Sequence, residues 1–376
     1  MKKALATILA LVMALSVTTM AWADDVAKIG DTGYATLKEA IEHVANGETI
    51  VLTANVNNGD GIVVASGKNF TLDFAGHTYT ITKNVVGSTG TENQCFQLLK
   101  DSTITMKDGA IVANCTGAKM IIQNYCNLTL DNMILDATAG TNNVGYVVSN
   151  NCGNVVIKNG TTITAKTTGV AFDVYGGFGD YGDVSVTLEA GATVNGKVEV
   201  ARDNGTQNKN TLTVTGGTVN GELVVNTHAK TEVAVTGGNF TADVSAYAPE
   251  GTPVATVVDG NVTRYCAVGS AVIAAAANNG KSVLVTKAGP ITGVDAGKSI
   301  IVDRGLTGVT VNGVPVTGGS YTVPARYYYY NSTTTDTKTD NTKGSPKTFD
   351  AGIALYVGMA LTSAAGVAFV GKKRED

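Results

Sequence analysis

Asp173, Asp180 and Asp183 share one short stretch with Tyr175, Phe178 and Tyr181, and glycines separate them. Two chemistries suit that set. The carboxylates could offer oxygen ligands to a hard cation such as Ca2+, or the acid and base of glycosidic cleavage. The aromatic rings could stack on sugar rings, since each presents a flat apolar face beside a polar rim. Glu189, Arg202 and Asp203 follow one coil later. Catalysis is the less favoured of these uses. Cleavage needs carboxylates held to within about 1 Å, and a glycine-rich segment holds side chains loosely. The stretch therefore predicts a ligand-contacting loop or a solvated excursion. No catalytic, cofactor or metal-binding residue is assigned, and calcium is an option that the spacing alone does not support.

The other reactive side chains form no constellation. His43, His77 and His228 are far apart, and no serine sits in a G-x-S-x-G setting. The five cysteines, Cys95, Cys115, Cys126, Cys152 and Cys266, show no C-x-x-C or Cys/His spacing. Their odd number forbids complete internal pairing, and they read as small buried apolar groups. The net charge is −4 and charged residues make up 15%. A nucleic-acid partner would need a basic patch, and the only basic cluster is at the extreme C-terminus.

The elements that must position these residues are strands. Glycine is abundant (45), proline scarce (6), and Thr, Val and Asn recur. The body opens with a helix instead. Thr36 and Glu39 make a capping box, and Leu37, Ala40, Ile41 and Val44 form one apolar stripe, with His43 facing solvent. Asn46-Gly47 stops it and Thr49 to Leu52 begins a strand. A degenerate repeat follows, in which a short apolar strand runs into a glycine turn. Examples are Val155-Val156-Ile157 before Gly160, Val186-Thr187-Leu188 before Gly191, Leu212-Thr213-Val214 before Gly217, and Val233-Ala234-Val235 before Gly238. Periods of 20 to 30 residues with no helical stripe indicate a β-solenoid, and the opening helix would cover its apolar end. A two-sheet sandwich is the alternative, weakened by the scarcity of two-residue hairpin turns. From Pro249 a small α+β module is expected. It has a helix near 270–277, strands near 299–302, 309–311 and 321–323, and a segment at 279–286 that echoes 46–53. The Thr/Asp/Lys/Asn run to Gly344 reads as a disordered stalk.

The termini carry addresses. Lys2-Lys3, an apolar run to Met20 and Ala21-Trp22-Ala23 form an export leader, with the mature chain starting at Asp24. At the other end Ser345, Pro346, Lys347, Thr348 and Phe349 precede an apolar run from Ala351 to Gly371 and the basic Lys372-Lys373-Arg374. That order resembles the C-terminal sorting signal of Gram-positive cell-wall proteins, LPxTG-like, which a sortase cuts after the Thr. Ser345 stands where the family has Leu, and Phe349 where it has Gly. The resemblance implies sortase and peptidoglycan as partners. A plain membrane anchor, with lipid as the only partner, is the simpler reading of the same span.

The body, across roughly 33 to 248, looks like the pectin-lyase-like right-handed parallel β-helix proteins. The likeness is architectural and rests on no diagnostic motif. The glycine-rich stretch superficially resembles the calcium nonapeptide repeat, but Asp180 comes one residue early and the motif occurs once. The expectation is thus an all-β, right-handed parallel β-helix with an N-terminal capping helix, then an α+β module, a disordered linker and a membrane helix. The parts are a leader (1–23), the β-helix (24–248), the module (249–326), the linker (327–344) and the sorting signal or anchor (345–376). The expected role is a cell-surface adhesin-like or structural envelope protein contacting a glycan or host surface. A secreted polysaccharide lyase or hydrolase is the alternative.

Overall fold

The computed structural model describes residues 25–177, 179–201, 208–226, 230–260 and 263–325. The leader, Phe178, Arg202, Asp203, His228, the linker, the pentapeptide at 345–349 and the apolar span after it lie outside the described residues. Among the described residues no helix is long and apolar enough to cross a membrane.

The described residues begin with a short antiparallel hairpin, Ala27–Ile29 with Thr32–Tyr34, and then helix α1, Leu37–His43. Thr36 Oγ1 accepts the Glu39 N–H at 3.1 Å, one half of the capping box. Leu37, Ala40, Ile41 and Val44 are all buried and belong to the main core. His43 is exposed, with its ring beside Tyr34.

From Thr49 to Phe240 the chain winds through successive coils, and like strands of neighbouring coils pair in parallel. One row in the first sheet runs Ile50, Leu72, Met106, Leu130, Ile157, Leu188, Val214 and Val235, every member buried. A second sheet, continuous with the first in one 21-stranded ladder system, carries Tyr79, Ile111, Leu135, Ile163, Val194, Val219 and Phe240 in the same way. The third is seven-stranded and stacks Phe96, Ile122, Val148, Phe172 and Val198. Side chains alternate across each strand, so every second residue enters the core and its neighbours face outward. Each fully buried Val, Leu or Ile contributes about 1.5–3 kcal/mol, and the rows make that sum continuous along the axis. These long parallel ladders make the body mostly β and solenoid-like, and they exclude the antiparallel sandwich.

The corner between the first and second sheets needs a left-handed backbone. Gly160, Gly191 and Gly217 supply it, but so do Asp108 (φ 57) and Asn132 (φ 55). In those two coils one continuous strand, Thr103–Ala113 or Asn127–Asp136, bends through the corner, and Asn132 Nδ2 donates to Asp108 Oδ1 at 2.9 Å. Asn and Asp tolerate this region better than other non-glycine residues.

Beyond the last coil the pattern of the first residues returns. A hairpin, Val254–Asp259 with Thr263–Val268, leads to helix α2, Ser270–Asn278. The strand Ser282–Lys287 then lies antiparallel to the first hairpin strand and parallel to Ser299–Val302. Thr49–Leu52 has the same relations to Ala27–Ile29 and Asn69–Asp73. Thr263–Val268 also pairs antiparallel with Gly238–Phe240, which joins this part to the last coil. Its core is separate, built on Val257, Ile273, Val283, Val285, Ile300 and Val311.

Candidate functional site

The outward row of the third sheet is polar and yet largely covered. Gln97, Gln123, Ser149, Asp173 and Glu199 stand one above the other on successive coils. Gln97 Nε2 donates to Gln123 Oε1 at 3.3 Å. Ser149 Oγ donates to Asp173 Oδ2 at 3.3 Å, and the Asn150 backbone N–H donates to Asp173 Oδ1 at 2.7 Å. Asp173 is 1% exposed and lies in the strand Val170–Val174, so it is no part of a solvated loop. A buried carboxylate persists only when hydrogen-bonded, and these donors meet that need. Behind it Asn124 and Asn150 interrupt the apolar core. Asn124 Nδ2 reaches Asn150 Oδ1 at 3.3 Å and Asn150 Nδ2 donates to the Asp173 carbonyl at 2.9 Å.

Glu199 sits in register with Asp173, one coil on. Lys197 Nζ lies 2.6 Å from Glu199 Oε1, and the Tyr146 hydroxyl donates to Glu199 Oε2 at 3.3 Å. The Glu199 hydrogen bond holds the Lys197 ammonium above its ordinary pKa. Beside this pair opens a recess of about 330 Å3, lined by Thr167, Thr168, Gly196, Lys197, Gly221 and Glu222. A Cβ on Gly221 would come within 2.0 Å of the Gly196 carbonyl oxygen, so backbone packed on backbone forms its floor.

The loop after Asp173 returns along the axis. It is tied at both ends. The Tyr175 N–H donates to the Asn150 carbonyl at 2.9 Å, and the Gly176 N–H to the Oδ1 of buried Asn210 at 2.6 Å. At the far end Asp183 Oδ1 accepts the Lys209 N–H at 2.8 Å, and the Asp183 carbonyl accepts the Gly153 N–H at 2.9 Å. The Tyr175 ring folds over Gly177, where a Cβ would meet it at 2.0 Å. The loop thereby lays Tyr181 against Tyr125, with centroids 4.8 Å apart and planes inclined by 37°. Lys100 Nζ stands 5.8 Å from the Tyr181 centroid, within cation–π range. Tyr181 is 42% exposed. Burial, then Tyr181, Cys152 and Asp173, push the Tyr125 hydroxyl up to about 12, so it stays a neutral donor at physiological pH.

Of the residues singled out in the sequence, the structure brings Asp173, Tyr175 and Tyr181 to one side of the solenoid. Asp180 and Asp183 are exposed on the loop. Glu189 lies elsewhere, at the corner beyond the first sheet, where it acts on Lys158. Tyr125, Lys100, Ser149 and Glu199 are new to the site. A signal for Ser149 and Glu199 exists in the chain. Phe96-Gln97, Ile122-Gln123, Val148-Ser149, Phe172-Asp173 and Val198-Glu199 share one apolar–polar step. Among the described residues no group of three or more His, Cys, Asp or Glu is placed to hold a metal ion.

No protein-family model matches the chain, and no curated protein or solved structure is significantly similar to it.

Proposed function

We propose that the chain is an exported, envelope-anchored contact protein, adhesin-like or structural, that binds a glycan or host surface without cleaving it. Its body is read as a right-handed parallel β-helix of the pectin-lyase-like kind, with α1 as its cap. Parallel crossovers are right-handed in about 98% of cases, which supports that hand. The leader at 1–23 directs export, and the C-terminal span holds the body at the Gram-positive surface. The partners there are sortase and peptidoglycan through Thr348, or membrane lipid alone.

The observation that carries the contact reading is the Tyr125–Tyr181 pair under Lys100, an open aromatic platform beside a polar strip. Such a platform takes a sugar face by stacking while neighbouring polar groups take its hydroxyls. Binding of the secreted body to immobilised glycans, compared with Tyr181→Ala, tests it. Equal binding by both would remove the platform from the account. Thr348 is tested separately by mass spectrometry of wall digests. A mature protein that keeps Lys372-Lys373-Arg374 in the membrane fraction leaves the lipid anchor.

One observation favours the hydrolase or lyase. Asp173 and Glu199 are adjacent rungs of one ladder, which sets two carboxylates on neighbouring coils, the kind of pair that glycosidic cleavage uses. Their bonding argues the other way. Asp173 accepts a backbone N–H, and Glu199 is ion-paired, so neither is poised as a proton donor. Turnover of a polysaccharide panel, lost on Glu199→Gln, would establish the enzyme.

A further inference from the structure

The five cysteines are all free thiols, and they are not equivalent. Cys126 Sγ donates to Asn124 Oδ1 at 3.2 Å, and Cys152 Sγ donates to the Tyr125 carbonyl at 2.8 Å. Cys266 Sγ accepts the Val244 backbone N–H. The Cys95 thiol has no such oxygen among the described residues; it meets the thiol of Cys115. The backbone explains the meeting. Cys95 lies in the strand Gln94–Leu98, fully buried, while Cys115 follows the strand Thr103–Ala113 of the next coil and packs half-buried against the core. The Asn93 carbonyl accepts the N–H groups of Lys119 and Met120 at 2.8 and 3.2 Å, and the Ala118 N–H closes back on the Cys115 carbonyl at 3.1 Å. Those bonds clamp the turn that carries Cys115 beside the start of the strand that carries Cys95.

The geometry points to a covalent modification site: Cys95 and Cys115 form a disulfide that staples one coil to the next, while Cys126, Cys152 and Cys266 stay reduced. Disulfides bridge Cβ atoms about 3.5–4.5 Å apart, so two thiols already in contact across neighbouring coils are placed to form one. The oxidant is a small-molecule disulfide. The half-buried Cys115 thiolate attacks one of its sulfurs, forms a mixed disulfide and expels the first small thiolate. The Cys95 thiolate then attacks the Cys115 sulfur and expels the second. Two protein thiols and one external disulfide become one protein disulfide and two external thiols, and the protons from the protein pass to the released thiolates. Burial holds the Cys95 thiol far above its ordinary pKa, so the second step is the slow one and quickens as pH rises. The staple closes a ring of about 20 residues that includes the bent strand, and it secures one wall of the third sheet.

The test treats the full-length protein, in detergent and folded, with oxidised glutathione. Free thiols are then counted with a chromogenic disulfide, and non-reduced peptides are mapped by mass spectrometry. The expected result is three thiols, one cross-linked peptide pair joining Cys95 to Cys115, and a melting temperature raised by about 5 °C over the reduced form. Cys115→Ser should keep all four of its thiols under the same treatment, while Cys126→Ser should still cross-link and keep two. Five thiols persisting in the oxidised sample, or a bond joining Cys126 to Cys152, overturns the assignment. Mapping the unaltered protein decides the matter even if Cys115→Ser fails to fold.

Discussion

Asp173→Ala separates a carboxylate that holds the scaffold from one that serves a ligand. The substitution strips the Asn150 N–H of its acceptor at 2.7 Å and the Ser149 hydroxyl of its acceptor at 3.3 Å. Asn150 is 0% exposed and Ser149 2%, so water cannot readily replace the lost oxygens. A hydrogen bond to a charged group is worth about 1.5–3 kcal/mol, and an orphaned buried donor costs a similar amount, so the loss should be about 3 kcal/mol. With an unfolding entropy near 2.1 cal/mol/K per residue over about 300 residues, that lowers Tm by roughly 5 °C. Asp173→Asn keeps one oxygen for the Asn150 N–H and should recover about half of the fall. Differential scanning fluorimetry of the secreted body, with urea melts as a second measure, gives the answer. A carboxylate kept for chemistry would behave in the opposite way. If Asp173→Ala leaves Tm unchanged while glycan binding or turnover disappears, the scaffold argument fails and Asp173 belongs to the functional surface.

Three further outcomes are expected. Tyr181→Ala should weaken binding of a stacked glycan at least 10-fold, as loss of an aromatic platform worth about 1.4 kcal/mol or more, while Tm moves by less than 2 °C because the ring is exposed; a large fall in Tm would make it structural. Ile41→Asp should cost about 3 kcal/mol or more, since it buries an unpaired charge where α1 meets the main core, and an unchanged urea midpoint would show that α1 does not cover it. The Asn132 amide first, and the Lys107 ammonium second, hold Asp108 below its ordinary 3.8, so its stabilising share is full above about pH 4 and is lost as pH falls through the lowered value. An NMR titration of Asn132→Ala should show Asp108 moving up toward 3.8, and an unmoved midpoint would refute the assignment of cause.

What the chain discloses by itself is local and periodic. The stripe of Leu37, Ala40, Ile41 and Val44 needs only the 3.6-residue turn to predict a one-sided helix, and all four are buried. The glycine turns at 160, 191, 217 and 238 show the corner of the coils, because a left-handed backbone selects glycine. Where Asp108 and Asn132 take the same conformation, the signal fades although the corner persists. The third sheet was harder to read. Its glycines (Gly61, Gly145, Gly169 and Gly196) come before the strands rather than in a turn after them, and equivalent residues from Gln97 to Glu199 lie 24 to 26 positions apart. Because that spacing still shifts by two residues at Asp173, only strand pairing fixes the register in which Asp173 stands between Ser149 and Glu199. Tertiary structure alone also decided that Asp173, which adjoins a glycine-rich loop, is buried by coil stacking, and that Tyr181 meets Tyr125. That contact depends on how the loop folds back along the axis. Local propensity sets the turns and strands. Coil stacking, a sum of contacts between residues distant in sequence, sets which outward side chains become neighbours.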